Sequence, residues 1–322
     1  MQSMMTRLLL LLFLTIIFHT NGVAQDQSGK QKLEIWEDAY HFFVIGDWGR
    51  NGFYRQKDVA VAMDSIGVYI EPECIISTGD NFYPNGIASI DDPYWLSSYE
   101  NIYNGYHLFC PWYVVLGNHD YRGNVEAQIA YSQKSRRWNM PARYFNIDIP
   151  ADENDYPNIQ LLIIDTNPLQ DDYYGRSKYA ETVEGQDTTK QINWIKDQLG
   201  QSDAAWKLVF GHHPMYTSGK RKEDTSYSRW HLEDIFEENK VDAYFAGHEH
   251  DLQHQKPENK YTHHFVSGAG SEIRPTGKMD FTRFSQSIQG FMAVSVKTDQ
   301  MLVQVIDYEG NMIYKTIITK TK

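Results

Sequence analysis

The chain has 322 residues and a formal net charge of −12. An acidic surface of this kind, spread along the whole length, excludes a phosphate backbone as the main partner, so no nucleic acid is expected to bind. Two cysteines are too few for a disulfide scaffold, and the length is enough for one large domain.

Residues 1–25 begin with Arg7 ahead of the apolar run Leu8 to Phe18 and reach small residues around Val23 and Ala24. This is the pattern of a secretory signal peptide. The run falls short of the about 20 apolar residues that a membrane span needs. The expectation is an exported monomer, secreted or periplasmic, with no membrane span and with residues 26–322 as a single domain. Loss of Arg7 with the leader makes the remainder one unit more negative.

From residue 41 onward, short apolar runs alternate with helical patterns. HFFVIGD (41–47) predicts a strand, and Val59, Met63 and Ile66 at helical spacing predict a helix after it. CIISTGD (74–80) predicts a second strand, then Trp95, Tyr99 and Ile102 mark a helical face. WYVVLGNHD (112–120) predicts a third strand, with a helix near 125–135. This rhythm implies parallel strand pairs joined by right-handed crossovers. Past Pro141 come adjacent strands at 144–149 and 159–165, a polar, tyrosine-bearing stretch from Asp171 to Asp187 read as an exposed loop with a flap as the alternative, and an amphipathic helix at 190–199. WKLVFGHHP (206–214) and VDAYFAGHEH (241–250) predict two more strands, with the helix HLEDIFEENK between them. The tail, with HHFVSGAG, GFMAVSVKT, QMLVQVID and NMIYKTIIT, reads as consecutive antiparallel strands. Two sheets, each partly covered by helices, absorb this many strands. Cys74 and Cys110 are expected to be buried free thiols.

Five of these strands end alike, in an apolar run, a glycine and a side chain able to hold a metal. The endings are GDWG (46–49), GDNFY (79–83), GNHD (117–120), GHHP (211–214) and GHEH (247–250). A Gly-Asp pair after a strand is by itself a common turn. In an open α/β sheet, however, the carboxyl ends of the strands converge on one crevice. Asp47, Asp80, Asn118, His212, His248 and His250 together offer oxygen and imidazole donors without a thiolate, a set that suits iron, zinc or manganese. They are too many for one open ion. Two ions sharing a carboxylate is the economical arrangement, and it is the geometry used for displacement at phosphorus. His213 follows His212 in an extended segment and is expected to point to the opposite face, in a supporting or structural role. His254 carries no assignment.

The five motifs, in this order and with their loops, resemble the calcineurin-like metallophosphoesterase superfamily, and GDNFY is similar to purple acid phosphatases of the small, tartrate-resistant type. The resemblance runs from about residue 41 to the final strands. It implies a four-layer α/β/β/α sandwich with two mixed sheets and the site at the edge where they meet. It also implies that Asp47, Tyr83 and His250 hold a ferric ion, that Asp80 bridges to a second divalent ion (Fe, Zn or Mn), and that Asn118, His212 and His248 complete the second site. His119 matches the histidine that contacts the phosphate and helps the leaving group depart. The activity implied is that of an acid phosphatase, in which a hydroxide held by the Fe(III)–M(II) pair attacks a small phosphate monoester. One departure concerns the loop MYTSGKRKED after GHHP, which lacks the further histidine of the small acid phosphatases; Lys220, Arg221 or Lys222 is available there as positive charge, beside the plainer reading of a solvated basic loop. Two other functions fit the same motifs: a phosphodiesterase of this superfamily acting on nucleotides or lipid head groups, and a catalytically silent metal-binding surface protein.

Overall fold

The computed structural model describes residues 32–152, 156–222 and 225–320. The leader expected over 1–25 lies outside the described residues. Among the described residues, fourteen strands form two seven-stranded mixed sheets.

The first sheet contains β1 (Tyr40–Ile45), β2 (Cys74–Ser77), β3 (Trp112–Val114), β4 (Trp138–Asn139), β12 (Gly290–Val296), β13 (Gln300–Asp307) and β14 (Met312–Thr319). Its order is β14-β13-β12-β1-β2-β3-β4, with β1 to β4 parallel and β12 joined antiparallel to β1. The second sheet contains β5 (Phe145–Ile149), β6 (Ile159–Ile163), β7 (Trp206–Phe210), β8 (Ala243–Ala246), β9 (Leu252–Gln255), β10 (His263–Ser267) and β11 (Thr282–Gln286), ordered β11-β9-β10-β8-β7-β6-β5. Here β6, β7, β8 and β10 run parallel.

The expected four layers are present. Strands buried on both faces read as continuous apolar runs rather than alternating ones, as FFVI of β1 and LVF of β7 do. Between the sheets, Phe210, Phe245 and Phe265 stack across β7, β8 and β10 at 5.2 and 5.0 Å. Phe42 of β1 meets the first two edge-on from the opposite sheet. Helix α1 (Gln56–Ile70) covers the outer face of the first sheet through Val59, Met63 and Ile66. Helix α2 (Val125–Tyr131) follows β3, and a four-residue turn of helix, α3 (Ala180–Val183), leads into the outer layer of the second sheet. There α4 (Thr188–Gln201) and α5 (Thr225–Glu238) bring Ile195, Leu199, Leu232 and Phe236 onto Leu162, Val209 and Tyr244.

The tail corrects one expectation. Of its four strand-like segments, the last three pair antiparallel as read, but HHFVS is β10 in the other sheet and runs parallel to β8. Strand β9, which pairs with β10, and β11, which pairs with β9, are too polar (LQHQ and TRFSQ) to announce themselves by an apolar run. The helical face expected at Trp95, Tyr99 and Ile102 is a single π-helical turn, Trp95–Glu100. Its rings join Trp48, Phe82, Tyr103, Trp112 and Trp138 in an aromatic cluster beside the ends of β1 to β3. Cys74 and Cys110 are free thiols, the first buried and the second half-buried.

Candidate metal centre

The five glycine-containing endings lie at the carboxyl ends of β1, β2, β3, β7 and β8, where parallel strands of both sheets face one another. At three of them the chain turns sharply through the left-handed region: Asp47, Asp80 and His248 have φ of 57°, 52° and 68°. Asp and His tolerate this conformation better than branched residues do, and the strain it stores is typical of functional sites. Close approach requires the glycines. A Cβ on Gly247 would stand 2.5 Å from Asp47 Oδ2, and one on Gly79 would stand 2.7 Å from His212 Nδ1.

The turns bring all seven predicted ligands together. The Tyr83 hydroxyl lies 2.9 Å from Asp47 Oδ1, 2.8 Å from Asp80 Oδ2 and 3.1 Å from His250 Nε2. On the other side, Asn118 Oδ1 lies 3.0 Å from His248 Nδ1 and 3.3 Å from His212 Nε2, and those two nitrogens are 3.2 Å apart. Asp80 belongs to both groups, since its Oδ1 is 3.5 Å from His212 Nε2 while its Oδ2 faces Tyr83. The six side chains from Asp47 to His250 other than Tyr83 are each at most 2% exposed, as is Tyr83 itself. His212 donates its Nδ1–H to the Thr78 carbonyl at 2.9 Å, because a carbonyl can only accept. That bond leaves Nε2 bare toward the site, the usual way a second partner fixes a ligand histidine.

Whether these residues suit metal ions can be tested on their own charges. Asp47 and Asp80 are buried carboxylates, and their ion-pair partners among the described residues are histidines: His250, His212 and His119 at 3.3, 3.5 and 3.9 Å. Burial pushes Asp47 up to about 7, with the Asp80 charge adding to the effect. Burial works in the same direction on Asp80, but His212, His119 and the His119 N–H hold that carboxyl below its usual range. Burial likewise keeps His248 and His250 neutral, His250 at about 3. Clustered acceptors and neutral imidazoles without a compensating cation are costly in an apolar interior. A pair of cations removes that cost, so the residues fit a dinuclear centre of oxygen and nitrogen donors.

His119 stands at the rim, half-buried, with Nδ1 2.6 Å from the Pro84 carbonyl and Nε2 toward Asp80. Arg122 lies 2.9 Å from the same Nδ1 and donates to the Tyr179 hydroxyl at 3.0 Å. His213 departs from expectation. Its ring lies 4.6 Å from that of His248 and beside His212, with Nδ1 at 2.8 Å from Thr166 Oγ1 and Nε2 at 2.7 Å from the Tyr173 hydroxyl. It thus groups with His212 and His248 instead of facing away. The Asp171–Asp187 stretch is also more than an exposed loop, because Tyr173 and Tyr179 are buried, stacked at 4.3 Å, and reach His213 and Asn118. Tyrosines within so polar a run were the available signal. His254 sits in β9, bonded to Tyr314 and His263, away from the centre.

Two further acids went unassigned in the sequence. Asp120 accepts from the Asn81 and Gly117 backbone N–H and from Asn81 and Gln128 side chains, tying the β2 ending to the β3 ending. Glu249, between His248 and His250, accepts from the Lys220 and Arg221 N–H at 2.7 and 2.9 Å. Neither has a spacing signature, since Asp120 joins its own loop at Gly117 to Asn81, 39 residues away, and Glu249 acts on backbone groups 28 and 29 residues away.

The fold and this cluster are those of a calcineurin-like phosphoesterase, whose family model matches residues 40–252. Purple acid phosphatase 4 of Arabidopsis thaliana is 38% identical over 303 residues, covering 87% of this chain and 83% of the relative. Human tartrate-resistant acid phosphatase type 5 is 29% identical over 304 residues, covering 86% and 90%. The chain belongs to the purple acid phosphatases within that family, and it is a hydrolase. Solved structures agree at the level of fold: GAP50, the anchor in the inner membrane complex of Plasmodium, has a TM-score of 0.77 at 24% identity over 89% of this chain and 90% of its own. Purple acid phosphatase PPD1 from yellow lupin seeds has a TM-score of 0.63 at 16% identity, covering 88% of this chain and 54% of its own.

Proposed function

We propose that this chain is an exported, monomeric acid phosphatase that hydrolyses small phosphate monoesters at a dinuclear centre of ferric iron and a second divalent ion (Fe, Zn or Mn). Asp47, Tyr83 and His250 would hold the ferric ion, Asn118, His212 and His248 would hold the second, and Asp80, which belongs to both groups, would be shared between them. The observation that carries this reading is Tyr83, a buried phenol within 3.1 Å of two carboxylates and an imidazole. A zinc or manganese site built of carboxylates and imidazoles has no need of it, whereas a phenolate is a natural ligand for ferric iron. When bound, the ions polarise a phosphate oxygen and activate the attacking water.

The chain's own residues supply the rest. Burial of the seven ligands excludes bulk water and strengthens every charge interaction at the phosphoryl group. His119 presents Nε2 at the rim and passes a proton or hydrogen bond to the leaving oxygen, while Pro84 fixes its Nδ1. The leader over 1–25 and a single domain over 26–322 belong to the same reading, and the clustering of Gln31–Lys322 as one compact unit supports the latter. No helix among the described residues is long and apolar enough to cross a membrane.

Elemental analysis combined with the visible spectrum tests the reading. Iron with a phenolate-to-iron absorption band is the expected result, and zinc or manganese alone, without colour, would count against the ferric assignment.

A further inference from the structure

The loop after β7 carries three adjacent cations, Lys220, Arg221 and Lys222, and they are not equivalent. Lys220 and Lys222 are exposed, while Arg221 is half-buried and directed inward. Its NH1 lies 3.0 Å from His248 Nε2, on the side of that ring away from Asn118. Glu249 sets this orientation. Its two oxygens hold successive backbone N–H groups, Lys220 at 2.7 Å and Arg221 at 2.9 Å, so the peptide wraps the carboxylate and has little freedom to swing out. The preceding Gly219 allows the contact, because a Cβ there would meet Glu249 Cγ at 2.4 Å. A buried acid between two candidate ligands is thereby spent on fixing the backbone of an arginine.

Arg221 stands behind the His248 ring, whose Nδ1 faces the centre, so its charge is unfavourable beside a bound cation pair and is offset when an anion occupies the open side of that pair. The fork of an arginine suits phosphoryl oxygens, with geometry that a lysine does not match. We propose that Arg221 binds the terminal phosphoryl group of the substrate and sets a preference for monoester dianions over diesters. This rests on the phosphatase reading above. A monoester has three non-bridging oxygens, enough for two on the centre and one on Arg221. A diester has two, which leaves none for Arg221 once the centre takes both.

Arg221→Gln and Arg221→Lys are compared with the parent at equal metal content, with Lys222→Gln as a control from the exposed part of the same loop. The readouts are KM and kcat for 4-nitrophenyl phosphate, kcat/KM for its bis ester, and calorimetric Kd for inorganic phosphate. In R221Q, KM for the monoester and Kd for phosphate are expected to rise about tenfold to a hundredfold, the range of one charge-assisted hydrogen bond. Bis-ester turnover should stay within about twofold, R221K should fall between, and K222Q should match the parent. Monoester KM and phosphate Kd within about twofold of the parent in metal-loaded R221Q would overturn the proposal. So would an equal loss on both esters, which marks a general disturbance of the centre. If the parent itself fails to turn over the monoester, the functional reading falls, and phosphate Kd alone decides the role of Arg221.

Discussion

Tyr83 distinguishes this centre at the level of a single atom. Its ring packs against His119 at 4.3 Å and carries the Arg50 guanidinium 3.7 Å above its centroid, so Tyr83→Phe keeps the packing and removes only the hydroxyl. On the ferric reading proposed above, that variant should lack the phenolate band and bind iron at least tenfold more weakly, as loss of a ligand or of its support generally does. The melting temperature of the chelated protein should stay within about 2 °C of the parent's. Gly79 is constrained in a different way. With φ of 94° and a Cβ that would stand 2.7 Å from His212 Nδ1, Gly79→Ala forces an L side chain into the left-handed region and into a ligand. The expected cost is about 2–3 kcal/mol in urea unfolding, together with loss of metal from the His212 side. The ligand types and the glycines before them were legible as five repeated strand endings. The left-handed turns at Asp47, Asp80 and His248 were not, because backbone conformation at an Asp or His has no spacing to betray it.

Among the elements, the loops after β2 and β3 act as one unit through Asp120. It takes hydrogen bonds from Gly117 N at 2.8 Å and from Asn81 N and Nδ2 at 3.1 and 3.0 Å, and from Gln128 Nε2 of α2 at 2.9 Å. Asp120→Ala leaves these buried donors unmatched, each worth about 1–3 kcal/mol. We expect a loss of at least about 3 kcal/mol in stability, and lower occupancy of both metals because Asp80 and Asn118 lose their relative register. A stability change below about 1 kcal/mol in urea titrations would show that the loops hold together by other means. Parallel strands with buried faces were readable as apolar runs. By contrast β9 and β11 were invisible, since β9 is held by backbone pairing with β10 and β11, and the edge strand β11 by pairing with β9, and such pairing needs no apolar pattern.

The molecule as a whole also encloses histidines unconnected with the centre. His264, 3% exposed, packs its ring 4.8 Å from that of Tyr216, and burial, reinforced by the His263, Lys256 and Lys260 charges, lowers it to about 3. A folded value below the ordinary 6.5 means that the unfolded chain takes up the proton first. The contribution to stability is therefore intact above about 6.5 and is lost as pH falls toward 3, by up to about 1.4 kcal/mol per pH unit. His264→Phe removes the proton site while keeping a ring. Relative to the parent, it should gain about 2 kcal/mol between pH 7 and pH 5, read from urea midpoints at the two values; a constant difference would mean that His264 titrates normally. The sequence by itself determined the apolar runs, the donor chemistry at their ends and the family, because those depend on residue type and local order. Tertiary structure alone decided that β10 crosses to the second sheet, that His213 and the Tyr173–Tyr179 pair close over the centre, and that Arg221 rather than its lysine neighbours turns inward. Each of those outcomes depends on a hydrogen bond or ring contact between segments far apart in the chain, and such contacts exist only once both sheets are in place.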